Sequence, residues 1–229
     1  ITQWCVSVDY GTANPCSMGL WGEKNGVWYY APHDPAARQS VLDGVREILT
    51  NYAVDGIHFD DYFYPYPVYE ETVQGKVLAE FDDSHSFALY GEGKSLEDWR
   101  RDNVTALMRE CYDAINSVSA CELGVAPFGI WQNDNGENGG SDTAGLESYS
   151  AIYCDTLALV ENGCVDYIAP QLYWDFNTSV ARFDTLARWW NAQLTGKDVK
   201  LFVEFKWHAH NMIPKTIDEA AYIDGATKW

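Results

Sequence analysis

The chain is poor in basic residues and contains no long apolar run. Among its 229 residues, 15 are Lys or Arg and 34 are Asp or Glu, so the formal net charge is −19. This charge argues against sequence-independent binding to nucleic acids, because such binding needs Lys and Arg to displace counterions from the phosphates. No stretch approaches the roughly 20 consecutive apolar residues that span a bilayer, so we expect no membrane-spanning segment in the chain.

Cysteine is also scarce, with six residues and no C-x-x-C spacing. The missing spacing argues against a zinc site built from thiolates, and a chain of this length does not need disulfides to fold. We expect reduced and mostly buried thiols, with a bridge between Cys121 and Cys164 as the alternative. Because the first residue is Ile1 and not Met, we also expect the chain to be part of a longer product.

Apolar and aromatic residues are abundant, at 47% and 15% of the chain, which is too apolar for a disordered acidic tail. Five segments have the pattern of strands: 27–31, 54–60, 122–129, 165–174 and 199–207. Helical spacing or capping residues mark the segments between and after them: 34–52, 95–118, 149–162, 179–195 and a last helix from about Thr216. Strands that alternate with helices predict a parallel sheet.

A barrel explains this alternation better than a nucleotide-binding sheet does. No G-x-G-x-x-G or G-x-x-x-x-G-K turn follows any strand. The irregular segments 62–94 and 130–147 both follow strands, where barrel enzymes build their active sites. We therefore predict an α/β fold in which residues 1–229 form a single (β/α)8 TIM barrel, the catalytic domain. Since five or six βα units can be counted, we expect the barrel to be incomplete or divergent at its termini.

Alternating residues place polar side chains on one side of several strands. In the segment 54–60, apolar Ile57 and Phe59 suit the helix layer, so His58 and Asp60 should face the barrel axis. The same alternation in 165–174 and 199–207 adds further polar residues to that interior: Gln171, Tyr173 and Glu204. Polar groups buried inside a barrel lower the stability of the folded state unless they are hydrogen-bonded, so they are retained there for bonding or for function.

The segment HFDDYFYPYP (58–67) has the chemistry of a sugar site. Adjacent Asp60 and Asp61 can perturb each other's pKa, which suits acid–base catalysis, and aromatic rings stack on sugar faces. Glycoside hydrolysis needs two carboxyl groups, so we expect Asp60 or Asp61 to be one and Glu204 or Asp175 the other. Rings expected to bind sugar are Tyr62, Trp131, Tyr173 and Trp174. Further candidate substrate-binding residues are His58, Arg101, Asn133, Gln171 and Asp175.

Five stretches resemble, in order and spacing, the bacterial family glycosyl hydrolase-like ten. They lie within residues 27–195: VDGIHFDDYFYPYP (54–67), DWRRDNV (98–104), GVAPFGIW (124–131), ESYSAIYCDT (147–156) and VDYIAPQLYW (165–174). The resemblance implies a (β/α)8 barrel with glycosidase-type activity in secreted or envelope-associated bacterial proteins, some of them similar to hydrolases of peptidoglycan glycan strands. It also implies an extracellular, periplasmic or cell-envelope location. The chain departs from the family pattern in residues 1–26 and after Val203.

The leading hypothesis is therefore a glycoside hydrolase that acts on a bacterial cell-wall glycan or another polysaccharide without a cofactor. The alternative is a carbohydrate-binding barrel that does not turn its ligand over. A third class, a metal-dependent isomerase or hydrolase, would need three or four converging ligands. Only His58 with Asp60, and His208 with His210, could contribute to such a site, and we expect no metal.

Overall fold

The computed structural model describes residues 20–24, 27–61, 63–73, 75–79 and 83–204. Within these ranges the strands are β1 (Leu20–Lys24), β2 (Val27–Tyr30), β3 (Gly56–Phe59), β4 (Val68–Thr72), β5 (Gly75–Ala79), β6 (Glu122–Val125), β7 (Tyr167–Ile168) and β8 (Lys200–Leu201). The helices are α1 (Pro35–Asn51), α2 (Ser84–Tyr90), α3 (Leu96–Val118), α4 (Ser148–Ala151), α5 (Thr156–Glu161) and α6 (Phe183–Leu194).

The central sheet is parallel and has the strand order β3-β6-β7-β8. Helices connect its successive strands, as the alternation of the sequence predicts. Within the described ranges this sheet has four strands and does not close into a barrel. β7 is much shorter than the predicted strand 165–174, and β8 ends at Leu201, because Pro127 and Pro170 lack the N–H that a ladder needs. Beyond these prolines the pairing resumes as single bridges, Phe128 to Gln171 and Gln171 to Glu204.

Two hairpins lie outside the parallel sheet. The predicted strand 27–31 forms β2, but it pairs antiparallel with β1 and not with a parallel neighbour. The segment 62–94, predicted to be irregular, contains the antiparallel pair β4 and β5 and the helix α2. The predicted continuation of the last strand to residue 207, His208, His210 and the helix near Thr216 all lie outside the described residues.

The long helices begin where their capping residues predict. Asp34 accepts hydrogen bonds from the backbone of Ala36 (2.7 Å) and Ala37 (3.3 Å), with Pro35 in the first turn of α1. Ser95 caps α3 by accepting from the backbone N–H of Asp98. The two helices pack against each other.

The helix predicted over 149–162 is in fact two short helices, and this prediction was wrong. The chain breaks between α4 and α5, where Tyr153 takes a positive φ of 53°. Asp155 then caps α5 by accepting from the backbone N–H of Ala158. The later helix, α6, starts at Phe183 and ends before Gly196, whose φ of 80° suits a residue without a side chain.

The core lies between the sheet and the helices. Ile57 and Phe59 are buried in it while His58 is part-exposed, as the strand alternation predicts. On α3 the apolar side chains of Leu107, Met108, Cys111 and Ile115 are in the core, whereas Val118 is 49% exposed at the end of the helix. Every described cysteine is a free thiol, so Cys121 and Cys164 form no bridge. None of the described helices combines the length and apolarity needed to cross a membrane.

A buried ion pair joins α3 to the segment that follows β5. The Arg100 guanidinium donates to both carboxylate oxygens of Asp83, with Nε to Oδ2 at 2.8 Å, and both side chains are more than nine-tenths buried. Arg100 also donates to the Tyr153 hydroxyl (2.6 Å) in the break between α4 and α5. One arginine therefore fixes three segments of the chain relative to one another.

We expect Asp83→Asn to lower the free energy of unfolding by about 3–5 kcal/mol, because it leaves the buried Arg100 charge without its counterion. Urea denaturation measures this change. The matched control is Asp98→Asn, whose exposed carboxylate pairs with Arg101 on the same helix and should contribute less than about 1 kcal/mol. If both variants lost the same free energy of unfolding, the buried pair would contribute no more to stability than the exposed pair, which would contradict this prediction.

Candidate active site

A cleft of about 470 Å³ opens at the carboxyl ends of the parallel strands. The described residues that line it are His58, Asp60, Asp61, Tyr66, Gln171, Tyr173 and Glu204. The sequence predicted all of them except Tyr66. They meet because parallel strands deliver their last residues to the same edge of a sheet.

Asp60 is held in place by a glutamine from a neighbouring strand. Its Oδ1 accepts from the Gln171 side-chain amide (3.0 Å) and from the backbone N–H of Asp61 (2.8 Å). Gln171 also donates to the backbone carbonyl of Ala126 (3.1 Å), so its amide bridges two strand ends. The carboxylate of Asp60 is only half-buried and faces the cleft with a fixed orientation.

Asp61 is the most buried acid of the cleft, with 2% of its surface exposed. Its Oδ2 accepts a short hydrogen bond of 2.5 Å from the Tyr66 hydroxyl. Burial raises the pKa of Asp61 to about 6, the Tyr66 hydrogen bond opposes this rise, and the nearby Asp60 charge adds to it. Asp61 can therefore hold a proton under mildly acidic conditions.

Glu204 has the opposite electrostatic environment. Its Oε1 lies 3.5 Å from Nε2 of His58, and its Oε2 accepts from the Tyr173 hydroxyl at 3.0 Å. The interaction with His58, followed by the Tyr173 hydrogen bond, lowers the pKa of Glu204 although burial opposes the change. The cleft thus joins one carboxyl group whose pKa is raised to one whose pKa is lowered.

Two tyrosines that contact residues of the cleft were not singled out from the sequence. Tyr66 lies in the aromatic run after Asp61. Its closeness to the two acids along the chain is the sequence feature that could have indicated its place in the site. Tyr167 donates to or accepts from Nδ1 of His58 at 2.9 Å. It lies on β7, 109 residues further along the chain, and no local pattern marks it.

Several predicted site residues are not among the described residues that line the cleft. Trp131 is 9% exposed and donates to Asp155 through Nε1 (3.0 Å). Trp174 is part-buried against the core. The Asn133 amide donates to the Gly145 carbonyl and to Glu147 within its own loop.

The remaining members of that set also have local partners. The Asp175 carboxylate accepts from the backbone of Asn177 and from the Thr178 hydroxyl, so it closes its own turn. Arg101 pairs with Asp98 and lies over the Tyr149 ring at 4.0 Å. Tyr62 lies outside the described residues. Within the described part of the chain, no three His, Cys, Asp or Glu side chains converge to form a metal site.

Comparison with known proteins finds two relatives that are both named glycosyl hydrolases. Over 179 residues, or 76% of the chain, the sequence is 36% identical to the glycosyl hydrolase YngK of Bacillus subtilis. Over 174 residues, or 75% of the chain, it is 37% identical to the glycosyl hydrolase DigH of Escherichia coli K12. These matches cover 34% and 38% of the two proteins, so the chain spans about a third of the length of these curated relatives.

The family match extends beyond the range that the sequence motifs indicate. Residues 18–224 match the family described as glycosyl hydrolase-like 10, which includes the segment after Val203 and some of the residues before 27. The acidic strand end at Asp60 and Asp61 and the strand residue Gln171 both lie inside this match. The chain belongs to the glycosyl hydrolase-like 10 family.

Proposed function

We propose that this chain hydrolyses O-glycosidic bonds in a bacterial cell-wall glycan or another polysaccharide. The observation that carries the proposal is the pair of carboxyl groups, Asp61 and Glu204, whose pKa values are shifted in opposite directions within one cleft. Glycosidases need such a pair, because one group must donate a proton while the other acts as an anion. Membership of the family supports the same chemistry.

In the proposed reaction, Asp61 is the general acid that protonates the glycosidic oxygen as the bond to the leaving sugar breaks. Glu204 is the ionised partner, which attacks the anomeric carbon or removes a proton from the attacking water. Asp60, oriented by Gln171, stabilises the positive charge that develops on the sugar ring in the transition state. Each role uses a side chain that lines the cleft.

Two exposed tyrosines supply the proposed sugar-binding surface. Tyr66 is 37% exposed and Tyr173 is 44% exposed, and both line the cleft. Each is anchored by its hydroxyl, Tyr66 to Asp61 and Tyr173 to Glu204. A sugar stacked on these rings would therefore be placed directly beside both reacting carboxyl groups.

We also propose the complete fold, the domain organisation and the location of the protein. The four parallel strands are assigned to a (β/α)8 barrel that is the single catalytic domain of this chain, within a longer protein. The supports are the parallel sheet, the family match and the greater length of the relatives. We assign the protein to the extracellular space, the periplasm or the cell envelope, where a cell-wall glycan would be reached.

The double variant Asp60→Asn, Asp61→Asn should lower hydrolysis by about 10²–10⁴-fold, because it removes the proton donor and its neighbouring charge. Release of reducing ends from peptidoglycan glycan strands and from a polysaccharide panel measures this. Asp43→Asn, an exposed change on α1, is the control for folding and handling. Full activity of the double variant would end the proposal, and glycan binding without turnover by the unmodified chain would favour a binding barrel.

Glu204→Gln should reduce kcat by a similar factor of about 10²–10⁴, because the neutral amide can neither attack the sugar nor activate water. Glu47→Gln on the exposed face of α1 is the matched control. The same reducing-end assay applies. If Glu204→Gln retained full activity while Asp175→Asn lost it, the second carboxyl group would be Asp175.

The dependence of kcat/KM on pH should be bell-shaped. Asp61 acts when protonated, so activity is present below its pKa of about 6 and falls as the pH rises through that value. Glu204 acts when ionised, and its pKa is lowered from the ordinary glutamate value of 4.5. Activity should therefore fall only at pH values below 4.5. Initial rates from pH 3 to 9 measure both limbs, and Asp61→Asn should abolish the limb near pH 6. A limb near pH 6 that persisted in that variant would contradict the assignment of the acid.

A further inference from the structure

The register of the sheet places two rings on either side of a residue that has no side chain. His58 on β3 pairs with Gly124 on β6, which pairs with Tyr167 on β7. Neighbouring strands are about 4.8 Å apart, so the backbones of His58 and Tyr167 lie about 10 Å from each other. A side chain on the middle strand would separate them, and Gly124 leaves that space open.

The two rings meet over this glycine. Their centroids are 5.6 Å apart with an interplanar angle of 14°, and the Tyr167 hydroxyl lies 2.9 Å from Nδ1 of His58. A Cβ atom added to Gly124 would overlap the Tyr167 ring. On its other side, Tyr167 contacts the Phe202 ring edge-on at 5.3 Å. The position of the phenol is therefore fixed from both sides.

The partners of the two ring nitrogens together indicate which nitrogen of His58 carries the hydrogen. Nε2 lies 3.5 Å from the Glu204 carboxylate, so a hydrogen on Nε2 faces an anion. The neutral imidazole then has an acceptor at Nδ1, to which the Tyr167 hydroxyl donates. When the imidazole is charged, the same hydroxyl accepts from Nδ1–H, because a phenol can do both. Tyr167 thus satisfies Nδ1 in either charge state, while the Nε2–H remains directed at the Glu204 carboxylate.

We propose that Tyr167 is a positioning residue that orients the His58 imidazole toward Glu204, and that Gly124 is required for this contact. The inference rests on the proposed function and adds a role for residues that do not line the cleft. Through His58, Tyr167 helps to keep the Glu204 carboxylate ionised and correctly placed. Other charged groups near these rings are Asp60 on the β3 side, Glu122 on β6, Asp166 before β7, and Lys200 on β8, which is paired with Glu122.

The first test is independent of activity. Long-range ¹H–¹⁵N spectra of histidine side chains identify the protonated nitrogen, and His58→Gln identifies the signal of His58 among the five histidines. We expect the Nε2–H form in the unmodified chain and a mixture of both neutral forms in Tyr167→Phe and in Gly124→Ala. The matched control is Tyr90→Phe, because Tyr90 also stacks on a histidine, His33, at 5.7 Å. An unchanged His58 spectrum in both test variants would overturn the proposal.

The second test is kinetic. Tyr167→Phe should lower kcat about 5- to 10-fold with little change in KM, as expected for the loss of one hydrogen bond. The acidic limb of the pH profile should move to higher pH, because the ionised form of Glu204 loses part of the stabilisation that His58 provides. An unchanged acidic limb would overturn the role in catalysis. If the histidine spectra change as expected but the unmodified chain hydrolyses no glycan, the positioning is supported and the proposed function fails.

Discussion

The cleft depends on the parallel register of β3, β6 and β7. This register places His58, Gly124 and Tyr167 in one row across three strands, and the next row contains buried Phe59, Val125 and Ile168. Because successive residues point to opposite faces, a shift of one residue would bring apolar side chains to the cleft and polar ones into the core. Burial of the apolar row therefore fixes the polar row, and the site is a consequence of the core.

The carboxyl groups of the cleft differ because their surroundings differ. Asp61 is enclosed and accepts a hydrogen bond from the Tyr66 hydroxyl, and burial favours its protonated form. Glu204 is more exposed and lies between His58 and Tyr173, which favour its charged form. Neighbours from different strands and loops thus shift the pKa of the same functional group in two opposite directions. The proposed acid–base hydrolysis rests on this difference between the two carboxyl groups.

A second polar network supports the segments around the cleft. Arg100 on α3 links Asp83 to Tyr153, and the Tyr153 ring meets the Tyr64 ring edge-on at 5.0 Å. Tyr64 belongs to the same aromatic run as Tyr66, so the network reaches the segment that forms one wall of the cleft. A buried charge that is fully paired in this way restricts the arrangements that the loops can adopt.

The sequence by itself determined the starts of α1 and α3 and the shared face of His58, Asp60, Gln171, Tyr173 and Glu204, because capping and the two-residue period of a strand are local. It also determined the family. Only the tertiary structure decided that Tyr66 donates to Asp61 and that Tyr167 contacts His58. It also decided that Trp131 and Asp175 bond within other parts of the chain. These outcomes depend on which side chain fills the space beside another, and residues 109 positions apart, such as His58 and Tyr167, carry no local signal of their contact.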